Sequence, residues 1–281
     1  MNLRQTSAED RAVIEGLIAS APWSHVHLDW IDPTKLTDKD PFILATDGQI
    51  PAGTLGCPPD LPGVAWVRTF AAAEGFDLRE IWRVLWAEAV SRLRRLDVDI
   101  VAAIALEDWF EKLIRNAGFK RTNSVIFYEL EFEPGMVASR SSRDSSHPLR
   151  SIRSADLEAI LEVDGHSFEP IWRLSGDSLS VAMLQASSAS LIEDQGKVLG
   201  YQITTSSAFG AHLARLAVRP SHRREGLGTA LVNDAIKSIR EIGLDQLSVN
   251  TQEKNAPSRR LYENMGFRTT GKEFPVFEIQ L

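Results

Sequence analysis

The sequence predicts an α/β protein made of two tandem domains, each with a mixed central sheet flanked by helices. Strand-like and helical stretches alternate along the chain, which is typical of mixed sheets covered by helices. Short patterns recur at an offset of about 147 residues, and a fixed long offset indicates an internal duplication. A serine-rich stretch lies between the copies. We therefore predict domains at residues 1–134 and 149–281, joined by a flexible linker at 135–148.

Four anchors carry the repeat, and they occur in the same order in both copies. An internal match of this kind is hard to obtain by chance, so it indicates that one domain was duplicated. The anchors of the first copy and their counterparts in the second are Leu3-Arg4 and Leu149-Arg150, Gly53 and Gly200, Arg68 and Arg215, and Asn116-Ala117-Gly118-Phe119 and Asn264-Met265-Gly266-Phe267.

The second copy shows the clearer order of elements. It begins with a helix that Ser154 can cap, followed by an irregular segment over residues 166–173. The remaining predicted elements alternate between strands and helices. They are two strands around Gly196, a strand at His212–Val218, a helix from about Leu227 to Ile239, a strand at Leu247–Asn250, a short helix at Pro257–Asn264 and a last strand at about Glu273–Ile279.

A glycine-rich turn opens the helix that begins near Leu227. The first N–H groups of a helix lack intrahelical partners and lie at its positive end, so such a turn is suited to bind a pyrophosphate. Gly226 and Gly228 let the backbone approach phosphates closely, and Arg223 and Arg224 add positive charge. The alternative interpretation is a solvated basic turn that opens an ordinary helix.

Two familiar phosphate loops do not fit this turn. A Walker A loop requires Gly-Lys-Ser/Thr, and no such tripeptide follows Gly228. A dinucleotide fingerprint requires a third glycine after Gly-x-Gly, and here the second glycine is the last.

The segment Arg223-Arg224-Glu225-Gly226-Leu227-Gly228 resembles the Arg/Gln-x-x-Gly-x-Gly/Ala signature of the GNAT acetyltransferase superfamily. Upstream, Arg215–Pro220 resembles the family's central strand and its exit. Downstream, Asn255–Phe267 resembles the family's second block, with Asn, Leu-Tyr and Gly-Phe in the expected order. The resemblance covers about half of the second domain and implies a sheet whose two central strands splay apart to admit the pantetheine arm of acetyl-CoA.

The resemblance implies a set of cofactor-binding residues in the second copy. The N–H of Val218 would stabilise the carbonyl oxygen, and Leu216 and Ala217 would line the pantetheine arm. Asn255 resembles an asparagine that reaches the cofactor, although capping the helix before Pro257 is an equal alternative. The predicted cofactor-binding residues are Leu216, Ala217, Val218, Arg223, Arg224, Glu225, Gly226, Leu227, Gly228, Thr229, Asn255 and Ser258.

The resemblance also implies the catalytic groups. Tyr262 falls where the family places the general acid that protonates the departing thiolate; simple packing is its alternative role. The general base is less clear, because Asn250 stands where related N-terminal acetyltransferases often have a glutamate. His212 is a candidate base, since an imidazole titrates in the useful range. A water-relayed base, or none, is the alternative.

The predicted reaction is acetyl transfer from acetyl-CoA to a primary amine by direct attack in a ternary complex. The acceptor is either a small molecule or a peptide N-terminus, and Glu169, Trp172 and Arg173 are its candidate contacts. The alternative function is a non-catalytic module that binds coenzyme A or a protein partner on the same fold.

The first copy lacks these chemical groups. The offset of 147 places Phe76–Ile81 at the phosphate turn, where no glycine remains and Asp77 and Glu80 would repel phosphate. Ile114 takes the place of Tyr262, and Glu107 that of Asn255. We therefore predict a degenerate acetyltransferase domain at residues 1–134.

Composition restricts the remaining functions. The net charge is −7, and residues 1–134 hold 14 basic and 21 acidic side chains against 17 of each in the remainder, which argues against nucleic-acid binding. Cys57 is the single cysteine, so an internal disulfide is excluded. No signal sequence, membrane span or metal site is predicted. We expect a cytoplasmic protein that could form a homodimer.

Overall fold

The structure, a computed structural model, describes residues 1–132, 147–207 and 210–281. It contains two compact units: unit 1 comprises residues 1–123 and 274–281, and unit 2 comprises residues 124–273. Residues 135–146 of the predicted linker lie outside the described residues.

The division differs from the predicted boundary at residue 134, because strand pairing assigns two segments differently. Within unit 2, Val125–Glu131 pair antiparallel with Gln246–Gln252. Within unit 1, the C-terminal Val276–Gln280 pair antiparallel with Ile100–Ile104. The strand that pairs with β14 in unit 2, and the strand that pairs with β8 in unit 1, therefore each come from the other copy's stretch of sequence.

Unit 1 has the following elements in chain order: β1 (Asn2–Gln5), α1 (Arg11–Ser20), β2 (Trp23–Val26), β3 (Phe42–Asp47), β4 (Ile50–Gly56), β5 (Pro59–Leu61), β6 (Val64–Trp66), β7 (Thr69–Ala72), α2 (Leu78–Arg95), β8 (Ile100–Ile104), α3 (Asp108–Asn116) and the start of β9 (Lys120–Glu131).

Unit 2 contains the rest of β9, from Ser124, and the N-terminal part of β15 (Arg268–Gln280), up to Glu273. Between them lie β10 (Leu149–Ser151), α4 (Leu157–Ser167), α5 (Gly176–Gln185), β11 (Ser188–Asp194), β12 (Lys197–Ser207), β13 (Gly210–Val218), α6 (Leu227–Glu241), β14 (Gln246–Gln252) and α7 (Ala256–Asn264).

The predicted tandem α/β architecture is confirmed, and most predicted elements of the second copy are present. Helix α5 was not predicted. The predicted cap at Ser154 is wrong: Ser154 is the first residue of a short 3-10 turn, and the Asp156 carboxylate accepts the Arg153 N–H at 2.7 Å. Arg153, and not Ser154, is therefore the residue at which the turn begins.

The duplication is visible in the strand register. In unit 1, Val64–Trp66 pair in parallel with Ile100–Ala102. In unit 2, Ala211–Leu213 pair in parallel with Leu247–Val249, so both partners are shifted by the same offset of 147. The sequence repeat therefore corresponds to a repeated pairing of the two central strands.

The central strands of unit 2 separate after this short pairing. Parallel register is recorded for only three residue pairs, ending at Leu213 and Val249. Beyond it β13 continues to Val218 and β14 to Gln252. The sheet therefore opens between β13 and β14, as the family resemblance implies.

Helix α6 packs on this sheet through a broad apolar face that includes Leu231, Val232 and Ile236. Gly200 on β12 lies beneath it, where a Cβ would come within 2.8 Å of the Ala217 carbonyl oxygen and 3.3 Å of the Leu231 side chain. A side chain at Gly200 would push the helix away, so this glycine sets the height of α6 above the sheet.

Within the described ranges, none of the helices combines the length and apolar character that a membrane crossing requires. The same residues contain no cluster of three or more His, Cys, Asp or Glu side chains placed to hold a metal ion.

Candidate functional site

The turn before α6 has an unusual backbone. Arg224 has a φ of 71° and Gly226 a φ of 86°, so two residues separated by one position adopt left-handed conformations. No side chain of the described residues caps α6, whereas Ser175 caps α5 and Asn255 caps α7. The first N–H groups of α6 are thus left for an external acceptor, in a turn of the kind that forms anion-binding concavities.

The two arginines of this turn have different surroundings. Arg223 donates to the carbonyl oxygen of Ser167 at 3.2 Å and, over a longer 3.4 Å, to that of Val218. Arg224 is exposed, and no described residue pairs with its guanidinium. Arg223 therefore ties the turn to the end of β13, while Arg224 is available to a ligand. Glu225, between Arg224 and Gly226, is also exposed and brings the opposite charge.

The absence of a side chain at Gly228 lets the start of α6 pack closely against α7. A Cβ at this position would lie 3.2 Å from a methyl carbon of Leu261, which is closer than ordinary contact. Leu261 directly precedes Tyr262, so the phosphate-type turn and the candidate acid are held on adjoining helices. The buried Leu227 and half-buried Thr229 complete the first turn.

The far end of β13 presents backbone groups to the opening in the sheet. The Arg219 N–H donates to the Leu199 carbonyl at 2.8 Å, toward β12. Because successive N–H groups of a strand alternate in direction, the Val218 and Leu216 N–H groups point the other way, into the opening. Ala217 between them directs its backbone toward β12. This edge of β13 is where an extended ligand could add main-chain hydrogen bonds.

Tyr262 lies on α7, and its ring is buried. Its side chain is 4% exposed and packs against Tyr128 and Phe267, with ring centroids 6.2 and 5.6 Å away. Within the described part of the chain, the hydroxyl makes no hydrogen bond. Burial raises the pKa of Tyr262 above its usual value, so the phenol stays protonated at neutral pH and can donate.

Asn255 acts as a helix cap in this structure. Its side-chain oxygen accepts the Ser258 N–H at 3.3 Å, and its amide nitrogen lies 3.4 Å from the Gln252 side-chain oxygen. Of the two roles that the sequence left open, the structural one is therefore occupied. Ser258 contributes its backbone to this cap.

His212 and Ser248 form a hydrogen-bonded pair on the two central strands. The Ser248 hydroxyl donates to the Ala211 carbonyl at 3.0 Å, so it accepts from Nδ1 of His212 at 2.9 Å. That assignment leaves Nε2 as the unprotonated nitrogen, and no described residue hydrogen-bonds to it. Burial lowers the pKa of His212 to about 4, which makes it a neutral and weak base.

The lowered pKa of His212 predicts a pH dependence of unit 2 stability. Its folded pKa of about 4 lies below the usual value of 6.5, so the unfolded chain binds the proton more readily. Stability is therefore complete above pH 6.5 and falls as the pH drops toward 4. Between pH 7 and pH 5 we expect a loss of about 2 kcal/mol from this group. Hydrogen exchange of the Leu247–Val249 amides measures it within unit 2.

His212→Gln is the matched variant for this measurement, because an amide can still donate to Ser248 but does not titrate. The loss between pH 7 and pH 5 should shrink by about 2 kcal/mol in the variant. An unchanged pH dependence would show that His212 titrates normally in the folded protein. Hydrogen exchange must be measured at amides of unit 2, because a global measurement would include the histidines of unit 1. Burial also lowers the pKa values of His25 and His27 in that unit.

A buried charge network lies on the opposite face of β13 from α6. The Asp164 carboxylate of α4 accepts from Arg215 Nε at 2.8 Å, from the Tyr201 hydroxyl at 2.6 Å and from the Leu174 N–H at 3.0 Å. Arg215 also donates to the Trp172 carbonyl at 2.7 Å. The network holds the segment after α4 against β13.

Sequence reasoning missed this network, although Arg215 itself was an anchor of the repeat. Asp164 and Tyr201 carry no local signal, since an acidic residue in a helix and a tyrosine in a strand are both ordinary. In unit 1 the counterpart Arg68 also forms an ion pair, with Asp29, and both side chains are 11% exposed. The buried arginine is therefore common to both units, and its carboxylate partner comes from a different place in each.

The three predicted acceptor contacts lie in the segment that this network holds. Glu169 and Arg173 are exposed, and Trp172 is half-buried. Arg173 donates to the Phe168 carbonyl at 3.0 Å, which braces the segment. The Arg215 guanidinium carbon lies 3.5 Å from the centre of the Phe168 ring. The structure thus brings Trp172 next to Arg215 through its backbone and leaves Glu169 at the surface.

Residues 154–267 match the model of the acetyltransferase (GNAT) family. The glycine turn, the opening between β13 and β14 and the tyrosine on α7 all lie within that range. The match assigns this segment to a family of acetyltransferases. Residues 154–267 therefore belong to the GNAT superfamily.

Curated relatives match parts of the chain. A Bacillus subtilis (strain 168) protein, provisionally named ribosomal protein bS18-alanine N-acetyltransferase, is 26% identical over 44% of this chain and 82% of its own length. The Escherichia coli (strain K12) ribosomal protein bS18-alanine N-acetyltransferase is 33% identical over 27% of this chain. That match spans about half, 51%, of the Escherichia coli protein.

Solved structures share the fold over the whole chain. A tandem GNAT protein from the clavulanic acid biosynthesis pathway has a TM-score of 0.67 at 16% identity, covering 99% of this chain and 98% of its own. A GCN5-related N-acetyltransferase from Sphaerobacter thermophilus has a TM-score of 0.64 at 14% identity, covering 99% and 95%. At such identities these likenesses establish the tandem fold alone.

Proposed function

We propose that unit 2 transfers an acetyl group from acetyl-CoA to a primary amine by direct attack in a ternary complex. The observation that carries this proposal is the free edge of β13 beyond Leu213, which leads directly to the uncapped turn at Arg223–Gly226. An extended thioester ligand with a pyrophosphate matches both features. The edge offers main-chain hydrogen bonds, and the turn offers N–H groups at a positive helix end.

The unused N–H groups support the assignment of the pyrophosphate to the turn. In this proposal the N–H groups of Leu227, Gly228 and Thr229 bind the phosphate oxygens. Arg224 supplies the charge. Its left-handed conformation is unfavourable for a residue with a side chain, and strain of this kind is concentrated at functional sites. The pantetheine arm would then lie along Leu216–Val218.

Two groups of unit 2 would act on the thioester. The Val218 N–H points into the opening and would donate to the carbonyl oxygen as negative charge develops there. The Tyr262 hydroxyl would donate its proton to the departing thiolate sulfur, which becomes a thiol. Since the phenol makes no hydrogen bond to any residue that the structure describes, it can form this one without breaking another.

His212 has a limited role in this proposal. Its Nε2 can accept a hydrogen bond from the incoming amine and so orient it. With a pKa of about 4, the imidazole does not retain the amine proton at neutral pH, and the proton leaves to solvent. The amine must therefore attack in its neutral form. Asn250, which cannot accept a proton, is consistent with the absence of a carboxylate base.

We propose a peptide N-terminus as the acceptor, with small primary amines as the alternative. The support comes from the relatives, whose names describe acetylation of the alanine of ribosomal protein bS18. Another relative, from Homo sapiens, is named N-alpha-acetyltransferase 30 and is 41% identical over 20% of this chain. The segment of Trp172 and Arg173 would form one wall of the acceptor site.

Calorimetric titration of acetyl-CoA into wild type and an Arg224→Ala/Gly226→Ala variant tests the cofactor site. We expect at least a 10-fold loss of affinity in the variant, because an ionised hydrogen bond contributes about 1.5–3 kcal/mol and alanine disfavours the left-handed backbone. The matched control is Gly196→Ala/Lys197→Ala, which also changes an exposed cation beside a glycine with positive φ, at 80°.

The control should bind acetyl-CoA as the wild type does. Equal loss in both variants would mean that instability, and not the turn, reduces binding. A wild-type chain that does not bind acetyl-CoA would contradict the proposed function. Binding without thiol release in the presence of alanine-starting peptides and small amines would favour the non-catalytic alternative.

A further inference from the structure

Strand β7 of unit 1 is paired along both of its edges. On one edge Thr69–Ala72 pair with Gly53–Gly56 of β4. On the other edge the same residues pair antiparallel with Trp23–Val26 of β2, which is the last strand of this five-stranded sheet. Among the described residues, no strand pairs with the corresponding edge of β13 in unit 2 beyond Leu213.

The backbone hydrogen bonds show which residues correspond. In unit 2 the Arg219 N–H donates to Leu199, and in unit 1 the Ala73 N–H donates to the Ala52 carbonyl at 2.9 Å. Gly53 pairs with Ala72 as Gly200 pairs with Val218, so Ala72 occupies the place of Val218, one position beyond the residue that the offset of 147 gives. In unit 2 the N–H of Val218 faces the opening. In unit 1 that place is paired with Trp23. The His27 N–H extends the contact by donating to the Arg68 carbonyl at 2.9 Å.

Side chains of β2 also fill the space beside the strand. His25 is 2% exposed and stacks on Phe110 of α3, with ring centroids 3.8 Å apart. Trp23 packs edge-on against Trp109 of the same helix at 5.5 Å. Helix α3 corresponds to α7, so β2 lies between the counterparts of β13 and of the helix that bears Tyr262.

In unit 1 the N-terminus of the helix that corresponds to α6 is also occupied by a group of the chain itself. Helix α2 corresponds to α6, and the Asp77 carboxylate caps it by accepting the Glu80 N–H at 2.8 Å. A carboxylate of the chain thus takes one of the N–H groups that an anion would use in unit 2. Asp77 and Glu80 would in addition repel a phosphate.

One segment accounts for the difference between the units. Residue 23 corresponds by the offset of 147 to Pro170, which follows α4 as Trp23 follows α1. Proline lacks the N–H that a strand needs, and in unit 2 Pro170–Trp172 form a short 3-10 helix. In unit 1 the segment is free to extend along β7.

From these contacts we infer that unit 1 is closed to acyl-CoA by its own chain, with β2 in the place of the pantetheine arm and Asp77 in the place of a phosphate. The inference rests on the proposed function for the assignment of those places. It follows that the chain binds a single acetyl-CoA, in unit 2. In unit 1, β2 stays paired with β7 and fills the place of the ligand.

Hydrogen exchange of the full-length protein, with and without acetyl-CoA, tests this inference. In the free protein we expect the amides of Trp23–Val26 and Phe70–Ala72 to be protected, and those of Leu216–Val218 to exchange faster. Saturating acetyl-CoA should slow exchange at Leu216–Val218 and leave the two segments of unit 1 unchanged. Calorimetry on the same sample should give one site per chain.

The inference is overturned if Trp23–Val26 exchange rapidly in the free protein. It is also overturned if acetyl-CoA changes exchange at Phe70–Ala72 or if two sites per chain are found. Failure of the proposed function is a separate result: acetyl-CoA then leaves Leu216–Val218 unchanged. In that case strong protection of Trp23–Val26 in the free protein still supports an edge closed by β2.

Discussion

Tyr262→Phe is expected to lower kcat for acetyl transfer about 100-fold, because positioned general acids contribute 10²–10⁴-fold. The affinity for acetyl-CoA and the free energy of unfolding should change little. The ring is buried and its hydroxyl has no partner within the described residues, so phenylalanine keeps the packing and leaves no polar group unpaired. Steady-state kinetics with a saturating amine, beside calorimetric titration of acetyl-CoA, measure both quantities.

Tyr128→Phe is the matched control. This tyrosine lies in the same cluster, 6.2 Å from Tyr262 between ring centroids, but its hydroxyl is engaged with Glu263 at 3.1 Å and Arg259 at 3.3 Å. Its removal should leave kcat within a few-fold of wild type. If Tyr262→Phe retains full kcat, Tyr262 only packs α7 against the sheet, and the thiolate is protonated by another group.

Arg215→Leu is expected to destabilise unit 2 by about 3–5 kcal/mol. Removing one member of a buried ion pair leaves the other charge uncompensated, and Asp164 has a side chain only 1% exposed. The variant also removes the hydrogen bond from Arg215 to the Trp172 carbonyl, so the segment after α4 should become more sensitive to protease. Urea unfolding followed by circular dichroism measures the change, while tryptophan fluorescence mainly reports unit 1, which holds six of the seven tryptophans.

Two further variants make this result specific. Lys237→Met removes a pair with Glu241 in which both side chains are largely exposed, at 72% and 65%, and should cost less than about 1 kcal/mol. Adding Asp164→Asn to Arg215→Leu removes the unpaired charge and keeps an acceptor for the Tyr201 hydroxyl, so part of the lost stability should return. An Arg215→Leu protein as stable as the Lys237→Met control would contradict the assignment of Asp164 and Arg215 as a buried ion pair that stabilises unit 2.

Much of the fold was predictable because its signals are local. The glycine turn, the apolar face of α6 and the Gly-Phe pair after α7 are each written in a few adjacent residues. The repeat anchors then identified the second domain by comparison with the first. Helix α5 was missed since its small and polar residues give no marked periodicity. The Ser154 cap was misplaced because the turn begins one residue earlier, where the Asp156 carboxylate accepts the Arg153 N–H.

The domain boundary could not be predicted from the chain order. Residues 124–131 follow the first copy in sequence but pair with β14 in unit 2, and residues 274–281 pair with β8 in unit 1. Strand pairing depends on which edge is free, and a linear pattern does not encode that. The serine-rich linker marked where one copy of the sequence repeat ends and the next begins. That position differs from the boundary between the two compact units.

The sequence by itself determined the family, the tandem α/β fold and the loss of glycines from the first copy, because spacing and residue type carry that information locally. Only the tertiary structure decided which strand edge is open and which is covered. Whether Trp23–Val26 lie along β7, or Asp164 reaches Arg215 from 51 positions away, depends on backbone hydrogen bonds and burial between distant segments. Those interactions form only when the sheet is assembled, so the open edge in unit 2 and the closed edge in unit 1 are properties of packing.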